Sequence, residues 1–276
     1  MTAVTLNEVL EPAMTEGYAL AGLVVLGWED AVAFVEAAEN TRSPVILQAG
    51  PGCRAHTPIP VIGKMLRFLA DQASVPVVCH LDHGYTLEDC LEGIDHGFTS
   101  VMFDGSGLPI LENIELTARL VEKAHAADVS VEGEVGFVGY ADGAKSAFTD
   151  PAEANRFERE SGADAIAVSV GNVHLQTEKT DGIDFDALKA IEEVTCKPLV
   201  LHGGSGIPPD VRQRLARESR VCKFNLGTEL RQTFGAALRE TLDKNPHLFD
   251  RIEILKSVIP AMRNSTETIF QTVTKI

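Results

Sequence analysis

The sequence predicts a (β/α)8 barrel, and three observations point there. Eight short apolar, β-branched runs recur along the 276 residues, at 21–26, 44–48, 75–82, 100–104, 130–135, 165–170, 198–202 and 221–226. They are nearly continuous in hydrophobicity, as strands covered on both faces are, and do not alternate like half-exposed antiparallel ones. Amphipathic stretches separate them, which is the strand–helix alternation of a parallel sheet. A doubly wound open sheet is the competing arrangement, but no Gly-x-Gly-x-x-Gly follows the first run, which disfavours a dinucleotide binder.

The intervening segments carry helix signals. Ala31, Val32, Val35 and Ala38 lie at helical spacing within 29–40, and Ile114, Leu116, Leu120 and Val121 do so within 111–127. Thr86-Leu87-Glu88-Asp89 resembles a capping box. Asp150 stands ahead of Pro151 and Glu153, a helix start. After Thr228 the chain reads as a C-terminal helical extension, over 229–242 and then 252–276, packed on the barrel or on a second subunit. No linker or composition break divides the chain, so one domain over 1–276 is expected.

Composition narrows the function. Hydrophobic residues make up 45% of the chain, enough for a packed core. The formal charge of −16 repels phosphate backbones and anionic lipid, so neither nucleic acid nor a membrane is an expected partner. No apolar run approaches the roughly 20 residues of a membrane helix, and the start shows no secretory signal. Five cysteines without a C-x-x-C pair read as reduced thiols, and the expectation is a cytoplasmic protein.

In a barrel the C-terminal strand ends form the active face. Those ends offer Asp82 and His83, Asp104, Glu132 and Glu134, His174, His202, and Asn225 with Thr228. Imidazoles and carboxylates gathered in this way suggest a Zn²⁺-type site with open positions for substrate. Taken singly, each has a plainer reading: a hydrogen-bonded structural histidine, or an aspartate capping the next helix. Glu134 within an apolar strand needs a cation or strong donors. His80 is placed to support the site from behind. His56, His96, His125 and His247 read as surface residues. A second cluster, His202-Gly203-Gly204-Ser205-Gly206 and Asn225-Leu226-Gly227-Thr228, follows the last two strands, where barrels hold phosphate through backbone amides and short polar side chains. The alternative there is a pair of tight turns.

Six motifs then carry a family resemblance: His80-Leu81-Asp82-His83-Gly84, Ser100-Val101-Met102-Phe103-Asp104-Gly105-Ser106, Val131-Glu132-Gly133-Glu134-Val135-Gly136, Gly171-Asn172-Val173-His174, Leu201-His202-Gly203-Gly204-Ser205-Gly206 and Lys223-Phe224-Asn225-Leu226-Gly227-Thr228-Glu229-Leu230. In this order, over residues 18–230, the chain resembles the class II ketose-bisphosphate aldolases. The resemblance implies a catalytic Zn²⁺ and reversible aldol cleavage to dihydroxyacetone phosphate and an aldehyde through a zinc-stabilised enediolate. It implies metal ligation by His83, His174 and His202, with Glu134 near the metal and Asp104 in support. Asp82 becomes the proton-transfer group. Gly203, Gly204, Ser205, Asn225, Leu226, Gly227 and Thr228 become the substrate-phosphate loops, where a monovalent cation often assists. It also implies a phosphorylated sugar as partner and a homodimer or homotetramer. A Schiff-base lysine is the metal-free way to the same end, and Lys223 near a strand end is the candidate.

The chain departs from the family pattern at several points. Val24 and Gly27 stand where the family has asparagines, and Gly50 where many members have serine. Leu175 replaces a glycine that lies against the substrate, and its side chain is expected to shift the backbone or narrow the pocket. The mobile loop offers only Asp142, in Gly139-Tyr140-Ala141-Asp142-Gly143, as the acid that moves the C3 proton. These changes keep two alternatives open: a retro-aldol reaction on a substrate that is not a sugar bisphosphate, and a catalytically weakened metal- and phosphate-binding barrel.

Overall fold

The computed structural model describes residues 2–180 and 182–274. Eight strands, β1 (Leu20–Val24), β2 (Val45–Ala49), β3 (Val77–Gly84), β4 (Ser100–Phe103), β5 (Ser130–Val135), β6 (Ala165–Val168), β7 (Leu199–Leu201) and β8 (Val221–Leu226), pair in sequence order, all parallel, into a closed barrel. The helices are α1 (Leu6–Glu16), α2 (Trp28–Thr41), α3 (Pro51–His56), α4 (Ile59–Gln72), α5 (Leu87–Asp95), α6 (Ile110–Ala126), α7 (Pro151–Ser161), α8 (Phe185–Glu192), α9 (Pro209–Glu218), α10 (Thr228–Lys244), α11 (Arg251–Lys256) and α12 (Ile259–Val273). Each of the eight apolar runs overlaps one strand, β1 starting one residue early and β2 and β3 ending one and two residues late, and 130–135 and 221–226 match to the residue. The expected barrel is the observed one.

Alternation along the strands separates two cores. Outward side chains such as Leu23, Leu47, Cys79, Val101 and Leu201 pack under the helices, while Leu20, Ile46, Val78, Met102, Ala165, Ala167, Val200 and Cys222 form a separate cluster with Leu6, Val9, Leu10 and Ala13 of α1. Helix α1 thus stoppers the N-terminal end of the barrel. Thr5 and Glu8 start it with a capping box, and Gly17 ends it at φ 71. Sequence periodicity did not disclose this helix, which is short and carries Pro12 in its interior.

The helix-start signals are observed in part. Asp150 accepts from the backbone of Ala152 and Glu153. Thr86 accepts from Asp89 N at 3.1 Å, so it caps α5 through its own side chain. The helix expected over 252–276 is instead two, α11 and α12, and its last two positions lie outside the described residues. Pro260, just inside α12, explains the break, because its ring and missing N–H cannot continue a helix arriving from Lys256. Helix α12 packs chiefly on α2, which closes the barrel's outer layer.

Candidate metal and substrate site

Neighbouring residues on a strand normally point to opposite faces, yet Asp82 and His83 both face the same cavity. The cause is local. The β3–β4 ladder shifts register between Leu81 and Gly84, and His83 adopts φ 51, so the bulge turns both side chains inward. Arg54 of α3 braces this strained turn. Its guanidinium donates to the carbonyls of Ala49 (2.5 Å), Asp82 (2.5 Å) and His83 (2.7 Å).

His174 arrives on the loop after β6, and Asn172 anchors that loop by donating to His202 O and accepting from Val170 N. His202 follows β7. The three rings lie with centroids 4.6–5.4 Å apart, and one nitrogen from each falls within 4.8 Å of the others. His83 Nδ1 pairs with Asp104 Oδ2 at 2.7 Å, which leaves Nε2 for a ligand. Glu134 is buried beneath, with Oε1 accepting from Val138 N, and Oε2 without a hydrogen-bond partner. His202 Nδ1 is likewise buried and unpartnered, 3.5 Å from Glu134 Oε2. His83, Asp104 and Glu134 form a second group able to share an ion.

The electrostatics are those of a crowded cluster. Burial pulls His174 down to about 4, with the charge of His83 adding to it, and burial with His83 also holds His202 well below the usual imidazole value. For His83 burial acts downward but is overcome by Asp82, Asp104 and Glu134, which raise it to about 9. Burial and the charge of Asp104 push Glu134 up to about 8. Asp82 feels burial upward, yet His83, His202 and Lys223 outweigh it and hold the carboxyl below its ordinary value. Asn225 Nδ2 donates to Asp82 Oδ1 at 3.0 Å and fixes its orientation.

A cavity of about 330 Å³ opens above the cluster, lined by Asp82, His83, His174, Leu175, Gly203, Ser205, Asn225, Gly227 and Thr228 among others. Gly203 has no substitute there: it sits at φ 66, and a Cβ would fall 2.1 Å from Val173 O. Ser205 Oγ accepts from Gly227 N and Glu229 N, so the hydroxyl knits the two loops and keeps its own proton for a ligand.

Three expected site residues stand elsewhere. Leu226 is wholly buried in the core under the helices, as the last residue of β8 pointing outward. Gly204 is buried against Asn225 O and Leu226 rather than lining the cavity. Asp142 is exposed and does not line it either. The loop residue that does is Tyr140, whose ring stacks on His174 at 5.0 Å. Gly139 O accepts from His174 N, and Ala141 N donates to His174 O, so this loop is laced to the histidine's backbone. Leu175 keeps the left-handed conformation, φ 59, despite its side chain. It sits half exposed at the cavity mouth, where this left-handed backbone is a local strain for a residue with a side chain.

Sequence reasoning also passed over Arg54, Tyr85, Gln176 and Arg231. Arg231 lies one turn into α10, where it donates to Thr228 Oγ1 at 3.0 Å and is the one Lys or Arg among the described lining residues. Only its spacing after Thr228 could have indicated it.

Comparison with known proteins shows the family of the chain. Residues 4–275 match the family model for class-II fructose-bisphosphate aldolase. The chain is 37% identical over 262 residues to a fructose-bisphosphate aldolase of Geobacillus stearothermophilus, covering 92% of this chain and 91% of that one. Among solved structures it resembles the YdjI aldolase of Escherichia coli K12, with a TM-score of 0.87 and 30% identity over 99% of this chain and 97% of that one. The fold is also that of a Campylobacter jejuni fructose-bisphosphate aldolase, with a TM-score of 0.81 and 24% identity over 97% and 93% of the two chains.

Proposed function

Since the chain belongs to the class II fructose-bisphosphate aldolase family and is an aldolase, a carbon–carbon lyase, we propose that it reversibly splits a ketose phosphate into dihydroxyacetone phosphate and an aldehyde, with Zn²⁺ held by His83, His174 and His202. The observation that carries this reading is the pair of orphaned buried acceptors, His202 Nδ1 and Glu134 Oε2, at a point where three imidazoles converge. A buried polar atom without a partner costs about 1–3 kcal/mol, and a cation would satisfy both atoms at once. Nitrogen donors with a nearby carboxylate suit zinc. A divalent ion bound there would polarise the substrate carbonyl and ease the build-up of negative charge on the adjacent carbon.

The remaining work falls to the chain's own groups. Asp82, held charged at neutral pH and steered by Asn225, accepts the proton of the hydroxyl beyond the breaking bond and returns it in condensation. Ser205, Gly203 and Thr228, with the guanidinium of Arg231, hold the phosphate end. Asp104 orients His83 by accepting its Nδ1 proton. The rim is apolar, made by Leu26, Tyr85, Tyr140 and Leu175, all partly exposed at the mouth. With Arg231 the one lysine or arginine among the described lining residues, this rim favours a second reading, in which the aldehyde half carries no phosphate.

An assay of dihydroxyacetone phosphate release from a panel of ketose mono- and bisphosphates tests both readings. Release from at least one of them, abolished by chelation and restored by Zn²⁺, is expected. Full turnover after metal removal would overturn the metal-dependent reading. Preference for monophosphates would select the second reading over the first.

A further inference from the structure

Directly beneath the three histidines lies a buried ionic layer that the chemistry above leaves unused. Lys223 of β8 and Glu132 of β5, both fully buried, meet at 2.7 Å between Nζ and Oε2. Glu132 Oε1 lies 3.2 Å from His202 Nε2. Lys223 Nζ also lies 3.3 Å from His80 Nε2, and the opposite nitrogen of that ring, Nδ1, is 2.8 Å from Ser100 Oγ. A buried ion pair is weak evidence for stability, because apolar residues of similar volume usually serve as well. Its place against His202 supplies a different role.

A neutral imidazole carries one N–H, and the acceptor facing one ring nitrogen decides which nitrogen keeps its lone pair. At His202 that acceptor is Glu132 Oε1, on the Nε2 side. Nδ1 faces the histidine cluster and has no hydrogen-bond partner. Lys223 occupies the other carboxylate oxygen and is itself located by His80, so Glu132 has one oxygen to offer and one direction in which to offer it. We propose that the Lys223–Glu132 pair is a positioning device that sets the tautomer of His202, keeping the proton on Nε2 and the Nδ1 lone pair turned toward the cation site. It acts from inside the barrel on His202 as Asp104 acts from the rim on His83.

The proposal rests on the reading of the cluster as a metal centre, and the experiment separates the two. In metal-free protein labelled with ¹⁵N-histidine, long-range ¹H–¹⁵N correlation reports the tautomer of each ring, and His202 is identified by the signal lost in His202→Gln. The expected result is an Nε2–H ring at His202, and a wild-type Nδ1–H ring would overturn the proposal whatever the variants do. In Glu132→Gln, Lys223 donates to the amide oxygen and turns the amide NH₂ toward His202 Nε2. His202 should then switch to Nδ1–H, and the Zn²⁺ dissociation constant, read by competition with a chromophoric chelator, should rise 10- to 100-fold. Lys223→Met, which frees Glu132 to rotate, should weaken Zn²⁺ in the same direction. Wild-type affinity and an unchanged tautomer in both variants would overturn the proposal. If the wild type binds no Zn²⁺, the metal reading fails, while the wild-type tautomer still decides whether Glu132 sets His202.

Discussion

At the N-terminal end of the barrel, Leu20, Ile46, Val78, Met102 and Val200 meet helix α1 in a mainly apolar plug, whereas at the C-terminal end the same sheet presents His83, Glu134, His202 and Asn225. The lower cluster is filled by side chains from the chain itself. The upper one leaves Glu134 Oε2, His202 Nδ1 and Asn225 Oδ1 buried without partners. Between them runs the Lys223–Glu132–His80 layer, which belongs sterically to the plug and chemically to the mouth. The contrast teaches that this barrel draws packing energy from one end and keeps unsatisfied valence at the other. Perturbations at the two ends should therefore separate.

Removal of metal should have the largest effect, taking turnover to background while far-ultraviolet circular dichroism stays that of a folded barrel. Loss of fold on chelation would break the contrast. Asp82→Asn should come next, lowering kcat by about 10²–10⁴-fold with Zn²⁺ retained at one equivalent. Zinc lost together with activity would mean that Asp82 serves the metal rather than the proton. Asp104→Ala, which frees the His83 ring, should raise the Zn²⁺ dissociation constant about 10- to 100-fold, as chelator competition can measure.

His83 sharpens the comparison through pH. Burial lowers its proton affinity, but Asp82, Asp104 and Glu134 overcome that and hold the free protein's value near 9. At neutral pH a metal must therefore displace a proton from His83. Zn²⁺ affinity should rise with pH by up to about tenfold per unit until that value is passed, and calorimetry in buffers of different ionisation enthalpy should detect proton release. An affinity independent of pH between 6 and 8.5 would contradict this charge balance.

At the other end, Leu10→Ala should cost about 2–5 kcal/mol of stability in denaturant and leave Zn²⁺ affinity and kcat unchanged. The smallest effect belongs to Leu175→Gly. Relief of a left-handed leucine and the added freedom of the unfolded glycine each amount to about 1 kcal/mol with opposite sign, so the melting temperature should barely move. The breadth of aldehydes accepted in condensation should widen instead.

The sequence disclosed most of the polar end and little of the apolar one. His83, His174 and His202 could be read because each ends or closely follows an apolar run, and strand ends in such barrels share one face. Side-chain direction at a strand end is a different matter, since it depends on twist and register. The bulge that aims Asp82 and His83 together, and the alternation that sends Leu226 outward, leave no mark in composition. The pairing of Lys223 with Glu132 spans 91 positions and exists only once the sheet closes, so the lysine read as a rival nucleophile is instead locked in an ion pair. Helix α1 escaped because its apolar residues find their partners in the barrel's lower mouth, on strands that the sequence alone does not bring to it.

Equilibrium dialysis of the purified protein against Zn²⁺, with the bound metal counted by atomic spectroscopy, tests the account most directly when wild type is set beside the variant in which His83, His174 and His202 are all alanine. One tightly held ion per wild-type chain and none in the folded triple variant is the expected result. A wild type that retains no ion, or a triple variant that holds one as firmly, would contradict it.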